Sequence, residues 1–277
     1  MTAVSDGRRR RRWWLVAVVA GWIAVLSGLG IWSVWHDPPT VPEQRSIADA
    51  LPVLEQATGA VFAAASAGDD RAVELGPLRV RSGCRLTPVR DGVEGLREVV
   101  VYVRADGALK ALQEIAAALP KDYAAEAAAS SGGRRVGLEA DAGGFVAIDA
   151  RADAATQVVT IETSTGCRPG ADVHPAAPAK VEPPAPLLRV LTALGRTGDR
   201  AVETTVACPD GQQGSTYTVG GVPAPKDIGQ SLQGVVGGVR LVRSEPAGWA
   251  YRVGGDSVAV VKDGDAAVRV SVSTPCA

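Results

Sequence analysis

The chain contains no asparagine and only two histidines, His36 and His174, and these scarcities exclude whole classes of chemistry. Without asparagine there is no N-glycosylation acceptor and no Cys-His-Asn catalytic arrangement. Both histidines fall in proline-rich stretches, so neither candidate folded unit owns an imidazole for general-base work or for zinc. No G-x-S-x-G elbow, G-x-x-x-x-G-K-[ST] loop or G-x-G-x-x-G turn is present, which removes acyl-transfer and nucleotide readings. Aromatics are scarce too. Five of the six tryptophans lie between positions 13 and 35, and beyond them stand only Phe62, Phe145, Trp249 and four tyrosines. Cores there must be built from Val, Leu, Ile and Ala, each burying less area than a ring.

What is present begins with WWLVAVVAGWIAVLSGLGIWSVW, residues 13–35, 23 residues without a charge. As a helix it would extend about 35 Å against a hydrocarbon core of about 30 Å. It reads as a transmembrane helix, with Trp13, Trp14, Trp32 and Trp35 as interfacial anchors. A signal peptide would have a shorter apolar region and an A-x-A type site. The unbroken run Arg8–Arg12 precedes the span, and the positive-inside rule then places residues 1–12 in the cytoplasm and everything after residue 35 outside, in a single-pass cell-membrane topology. Ala17, Ala20, Gly21, Ala24 and Gly28 form a stripe of small residues through which a dimer could close.

Residues 36–277 hold 24 of the 29 Lys+Arg and 29 of the 30 Asp+Glu, a formal net charge of −5. That balance gives no footprint for nucleic acid. All four cysteines, Cys84, Cys167, Cys208 and Cys276, fall on this side, and an even count in an oxidising compartment reads as two disulfides. An internal repeat chooses between the three pairings. Gly68-Asp69-Asp70-Arg71-Ala72-Val73-Glu74 is echoed by Gly198-Asp199-Arg200-Ala201-Val202-Glu203. Gly143-Gly144 before Val146-Ala147-Ile148 matches Gly254-Gly255 before Val258-Ala259-Val260, and Val159, Ile161, Thr163 before Cys167 match Val268, Val270, Val272 before Cys276. A unit written twice, each copy with an early and a late cysteine, implies Cys84 with Cys167 and Cys208 with Cys276.

The pattern predicts an α+β fold: two related α-β-β-α-β-β-β domains, helices on an antiparallel sheet, at 45–168 and 187–277. A Pro-rich stalk at 36–44 precedes them, and a Pro-rich linker at 169–186 is expected to keep them as separate bodies. In the first domain a helix is expected over about 51–65, a second after an Asp106 N-cap, and loop or frayed helix over 121–133. In the second, the glycines of 227–239 predict a helix that is closely packed or only partly formed.

Candidate sites are few. Asp263-Gly264-Asp265 with Asp256 reads as a turn, since it lacks calcium-loop spacing. Tyr217, Trp249 and Tyr251 are either core or a partner-facing patch. The sequence therefore reads as a non-catalytic, membrane-anchored binding or scaffold module of a bacterial cell envelope, with no cofactor and no metal and with a protein or envelope component as its partner. Two rivals stand beside it: a hydrolase working through carboxylates such as Glu98, Glu139 and Asp141, and a sensing subunit of a membrane complex.

Overall fold

A computed structural model describes residues 6–36, 45–130, 132–170 and 173–276, with side chains in the first range described from 13 to 32. Five α-helices and two antiparallel sheets make up these residues. The first helix, α1 (Asp6–His36), is a unit of its own. Its Trp13–Trp32 stretch is long and apolar enough to be a membrane anchor or the helix of a signal sequence, and its large side chains, Trp13, Trp14 and Trp32 among them, are exposed. The side chains of Trp35 and Arg8–Arg12, and the proposed stalk after His36, lie outside the described residues.

The second unit opens with α2 (Ile47–Ser66). Ser46 caps it, its hydroxyl accepting from the Asp49 N–H at 3.2 Å. The helix therefore starts a turn earlier than the apolar spacing predicts, and Pro52 stands inside it rather than in its first turn. Strands β1 (Arg71–Leu75), β2 (Arg79–Thr87) and β3 (Arg90–Val103) follow, then α3 (Ala108–Ala118). The N-cap of α3 is Gly107. Asp106 instead sits in the left-handed region at φ 60°. The alanine-rich stretch expected to be loop holds a 3-10 turn, Lys121–Tyr123, and an edge strand, β4 (Glu126–Ala129). Pairing with β5 overrides alanine's helical preference there. β5 (Arg135–Asp141), β6 (Ala147–Asp153) and β7 (Val158–Arg168) close the first sheet, ordered β1-β3-β7-β6-β5-β4 with β2 also on β3.

The second half runs β8 (Ala179–Val181), α4 (Ala185–Ala193), β9 (Ala201–Ala207), β10 (Gln213–Pro223), α5 (Ile228–Leu232), β11 (Arg240–Glu245), β12 (Gly248–Val253), β13 (Asp256–Lys262) and β14 (Ala267–Thr274). Its sheet is ordered β11-β12-β13-β14-β10-β9-β8. Only five residues of the glycine-rich stretch are helical. Cys84 is bonded to Cys167 and Cys208 to Cys276.

The two halves are one compact body, contrary to the separation expected of the prolines in 169–186. Part of that stretch is itself built into the second sheet, as β8 pairs with β9. The outer face of the first sheet, at Ala72 and Tyr102, packs on Val242, Ala250 and Ala259 of the second. Between them lies a buried polar knot. The Tyr102 hydroxyl donates to Glu74 at 2.8 Å, and the Arg269 guanidinium lies 3.2 Å from the same carboxylate. Burial, then the Glu74 charge, push the Tyr102 hydroxyl well above its ordinary pKa, so it remains a donor.

Helix α2 serves both halves. Leu54, Val61 and Phe62 belong to the first core, and so does Val206 from the second half. A Cβ on Gly59 would stand 2.0 Å from the Ala207 carbonyl oxygen, so only glycine allows this approach. Two arginines close the helix's C-terminal end: Arg71 donates to the Ala65 carbonyl at 2.8 Å and Arg252, from the second half, to the Ser66 carbonyl at 3.1 Å.

Candidate binding face of the first sheet

Strand alternation divides the first sheet into a helix-facing side and an open side. On β5, Val136 and Leu138 are buried toward the helices while Arg135, Glu139 and Asp141 are exposed. The register then does something the sequence hides. Glu126 stands opposite Glu139, Glu139 opposite Asp149, Asp149 opposite Glu162, and Glu162 opposite Glu98. Five carboxylates thus form one row across β4, β5, β6, β7 and β3, spanning about 19 Å at ordinary strand spacing.

Like charges directly opposite one another destabilise a sheet, by roughly 0.2–1 kcal/mol per pair. Compensation is partial. Arg79 pairs with Glu98, and Arg151 with Glu139 at 3.1 Å, but among the described residues no ion pair forms with Glu126, Asp149 or Glu162. The Glu162 carboxyl is held above the usual range, first by burial and then by Glu98 and Glu94, while Arg81 and Arg79 pull it the other way.

The sign of this shift fixes a pH dependence. A carboxyl whose folded pKa exceeds its unfolded one favours folding while protonated. The penalty is therefore absent below the unfolded value, grows as pH rises, and is complete above the folded value. Glu162→Gln should raise the thermal midpoint at pH 7 by roughly 1 to 3 °C. The gain should vanish near about pH 4. Equal midpoints for variant and parent at pH 7 would contradict this account.

Over β4–β6 the row borders a trough of about 740 Å³. Its floor is low because Ala128, Gly137 and Ala147 carry little or no side chain, and Tyr123 lies at one side. The carboxylates singled out in the sequence take different places here. Glu139 and Asp141 line the trough, and Asp141 is tied into a turn by accepting from the Gly143 N–H at 2.8 Å. Glu98 is in the same row but three strand spacings from Glu139, about 14 Å. That exceeds both separations at which two carboxyls flank a glycosidic bond, ~5–5.5 Å with retention and ~6.5–9.5 Å with inversion. The arrangement is an open ribbon of negative charge, suited to meeting cations.

Other candidates disperse. Asp256 heads β13 whereas Asp263 and Asp265 follow its far end, and no three His, Cys, Asp or Glu among the described residues are grouped to hold a metal ion. Tyr251 is 1 % exposed, its hydroxyl pushed up to about 12 by burial, and Tyr217 and Trp249 pack against the same core. Tyr251 is thus core, while Tyr217 and Trp249 are half-buried at its edge. With α5 only five residues long, these rings fill the space over β10 and β12, and Trp249 alone reaches a cavity, of about 270 Å³, beside Pro225 and Pro246.

Glu126, Asp149 and Glu162 escape sequence reasoning because register is a tertiary property. The only local signal is an acid at alternate positions of a strand, as in Glu139 and Asp141. The arginines of the hairpin formed by β2 and the start of β3 escape it too, although Arg79, Arg81, Arg85 and Arg90 are conspicuous in an acidic exterior. No family model, curated protein or solved structure matches this chain.

Proposed function

We propose that this chain is a single-pass membrane protein of a bacterial cell envelope, its N-terminus cytoplasmic and its two sheets extracytoplasmic, acting as a non-catalytic binding or scaffold module. The observation that carries the reading is the pairing of an exposed apolar helix with a following unit in which all four cysteines are joined in disulfides. Disulfides persist in oxidising compartments, and an apolar helix ahead of them supplies the route there. The open, acid-lined face of the first sheet supplies a surface for a partner.

We further propose that the halves descend from one unit. The order β1-β3-β7-β6-β5-β4 corresponds strand for strand to β9-β10-β14-β13-β12-β11, with β2 and β8 as additions. Each half also bridges an early cysteine to a late one.

Membrane fractionation and thiol labelling of the full chain test the location. It should stay with membranes through an alkaline wash. A bulky maleimide should add to none of its cysteines before reduction and to all four after an impermeant reductant is applied to spheroplasts. Release of a shortened soluble chain would remove the anchor, and thiols reactive without reductant would remove the compartment.

A further inference from the structure

We propose that the acid-lined trough of one copy receives the arginine hairpin of a second copy, so that chains associate head to tail. The inference extends the binding reading above by naming the partner.

The hairpin is β2 and the start of β3, joined where Thr87 pairs with Arg90. From position 79 to 94 it carries four arginines against two acids, Asp91 and Glu94, which stand opposite Arg85 and Arg81, a formal net charge of +2 in an exterior whose net charge is negative. Arg81, Arg85 and Arg90 are exposed, and Val89 at the tip is 96 % exposed. Arg79 is taken by Glu98, and Arg85 donates to the Pro88 carbonyl at 3.1 Å, which fixes the turn, while among the described residues no ion pair forms with Arg81, Arg85 or Arg90. A valine with basic side chains around it is the shape of an anchor with a polar rim.

The trough is the counterpart. Four acids, Glu126, Glu139, Asp141 and Asp149, meet two bases, Arg135 and Arg151, over a floor of alanine and glycine that leaves room for an inserted side chain. The open side of this sheet is already used for contact, since Ala72 and Tyr102 on it are covered by the second half. The trough continues that side onto strands that nothing among the described residues covers.

A chain's own hairpin is poorly placed to fill its own trough. Cys84, within the hairpin, is bonded to Cys167 on β7, which holds the hairpin on the β3 side of the sheet, while the trough lies over β4–β6. The contact is therefore between copies and joins two different patches, so it is heterologous and propagates unless the rotation closes a ring. Tethering in one membrane raises the effective concentration, which suits a small, charge-driven interface.

The test is energy transfer between donor- and acceptor-tagged full chains in the same vesicles. Wild type should transfer above a randomly mixed single-span control and fall to that control as salt rises to about 1 M, where screening acts over about 3 Å. Arg85→Glu with Arg90→Glu, and separately Glu139→Lys with Asp149→Lys, should each weaken self-association by about tenfold or more. Mixing the two variants should restore it, because the acidic hairpin of one now fits the basic trough of the other. Circular dichroism checks that each is folded, and the wild-type salt titration stands without any variant. Transfer at the control level in wild type, transfer indifferent to salt, or a mixture no better than its components would each overturn the proposal. Thiol labelling reports on topology independently, so failure of one reading is distinguishable from failure of the other.

Discussion

Gly59→Ala lowers the thermal midpoint of the two-sheet unit by roughly 5 to 10 °C, where a helix-interior glycine would ordinarily gain about 1 kcal/mol on becoming alanine. The sign reverses because the new Cβ meets the Ala207 carbonyl oxygen at 2.0 Å, and a backbone atom cannot swing aside as a side chain can. Overpacking of this kind costs roughly 1–3 kcal/mol or more, and here it falls on the contact between α2 and β9. The expected signature is in the shape of the transition as well as its midpoint. The parent should unfold in one step, whereas in the variant the second half, pried from α2, should melt first. Scanning calorimetry would decide it, and a variant as stable as its parent would mean that α2 and β9 lie further apart than described.

The second large effect concerns the bridges. Cys84–Cys167 and Cys208–Cys276 join residues 83 and 68 positions apart, and loops of that size are worth about 4 to 5 kcal/mol each by the restriction they place on the unfolded chain. For a domain whose whole stability is about 5 to 15 kcal/mol, losing either is severe. Cys208→Ala with Cys276→Ala should be the worse pair, since Cys208 is 6 % exposed and Cys276 packs against the first core, so a cavity is added to the lost tether. Cys84 is half-buried on a mostly exposed strand. Stepwise addition of reductant should therefore free Cys84 and Cys167 before the other two. Peptide mapping with differential alkylation reads the order directly, and simultaneous opening would argue against this difference in shelter.

The α+β class was readable because two periodicities are plain in the chain. Leu54, Ala57, Val61 and Ala64 recur at helical spacing and end up buried on α2, and Val99, Val101 and Val103 alternate along β3 and end up inside. Strand β4 was not readable, since Glu126–Ala129 is nearly all alanine and only its pairing with β5 makes it a strand. Nor was β1, whose five residues are all buried and so carry no alternation. The docking of the halves was hidden for a related reason. Ala72, Ala250 and Ala259 look like filler in an alanine-rich sequence, but small size is what lets two sheets approach. Of the acidic row only Glu98 and Glu139 stood out in the sequence; Glu126, Asp149 and Glu162 did not, because they lie far apart in the chain and meet only through register.

The dual allegiance of α2 also bears on how the protein is made. The first sheet is complete at β7, and Cys84 and Cys167 both precede Cys208 in the chain, so the earlier bridge can close before a competing thiol has been made. Until β9 arrives, though, the flank of α2 around Gly59 and Phe62 has nothing to cover it. A nascent intermediate with a finished sheet and a greasy, unclad helix is what a chaperone would recognise, and stalling synthesis between β7 and β9 would capture it.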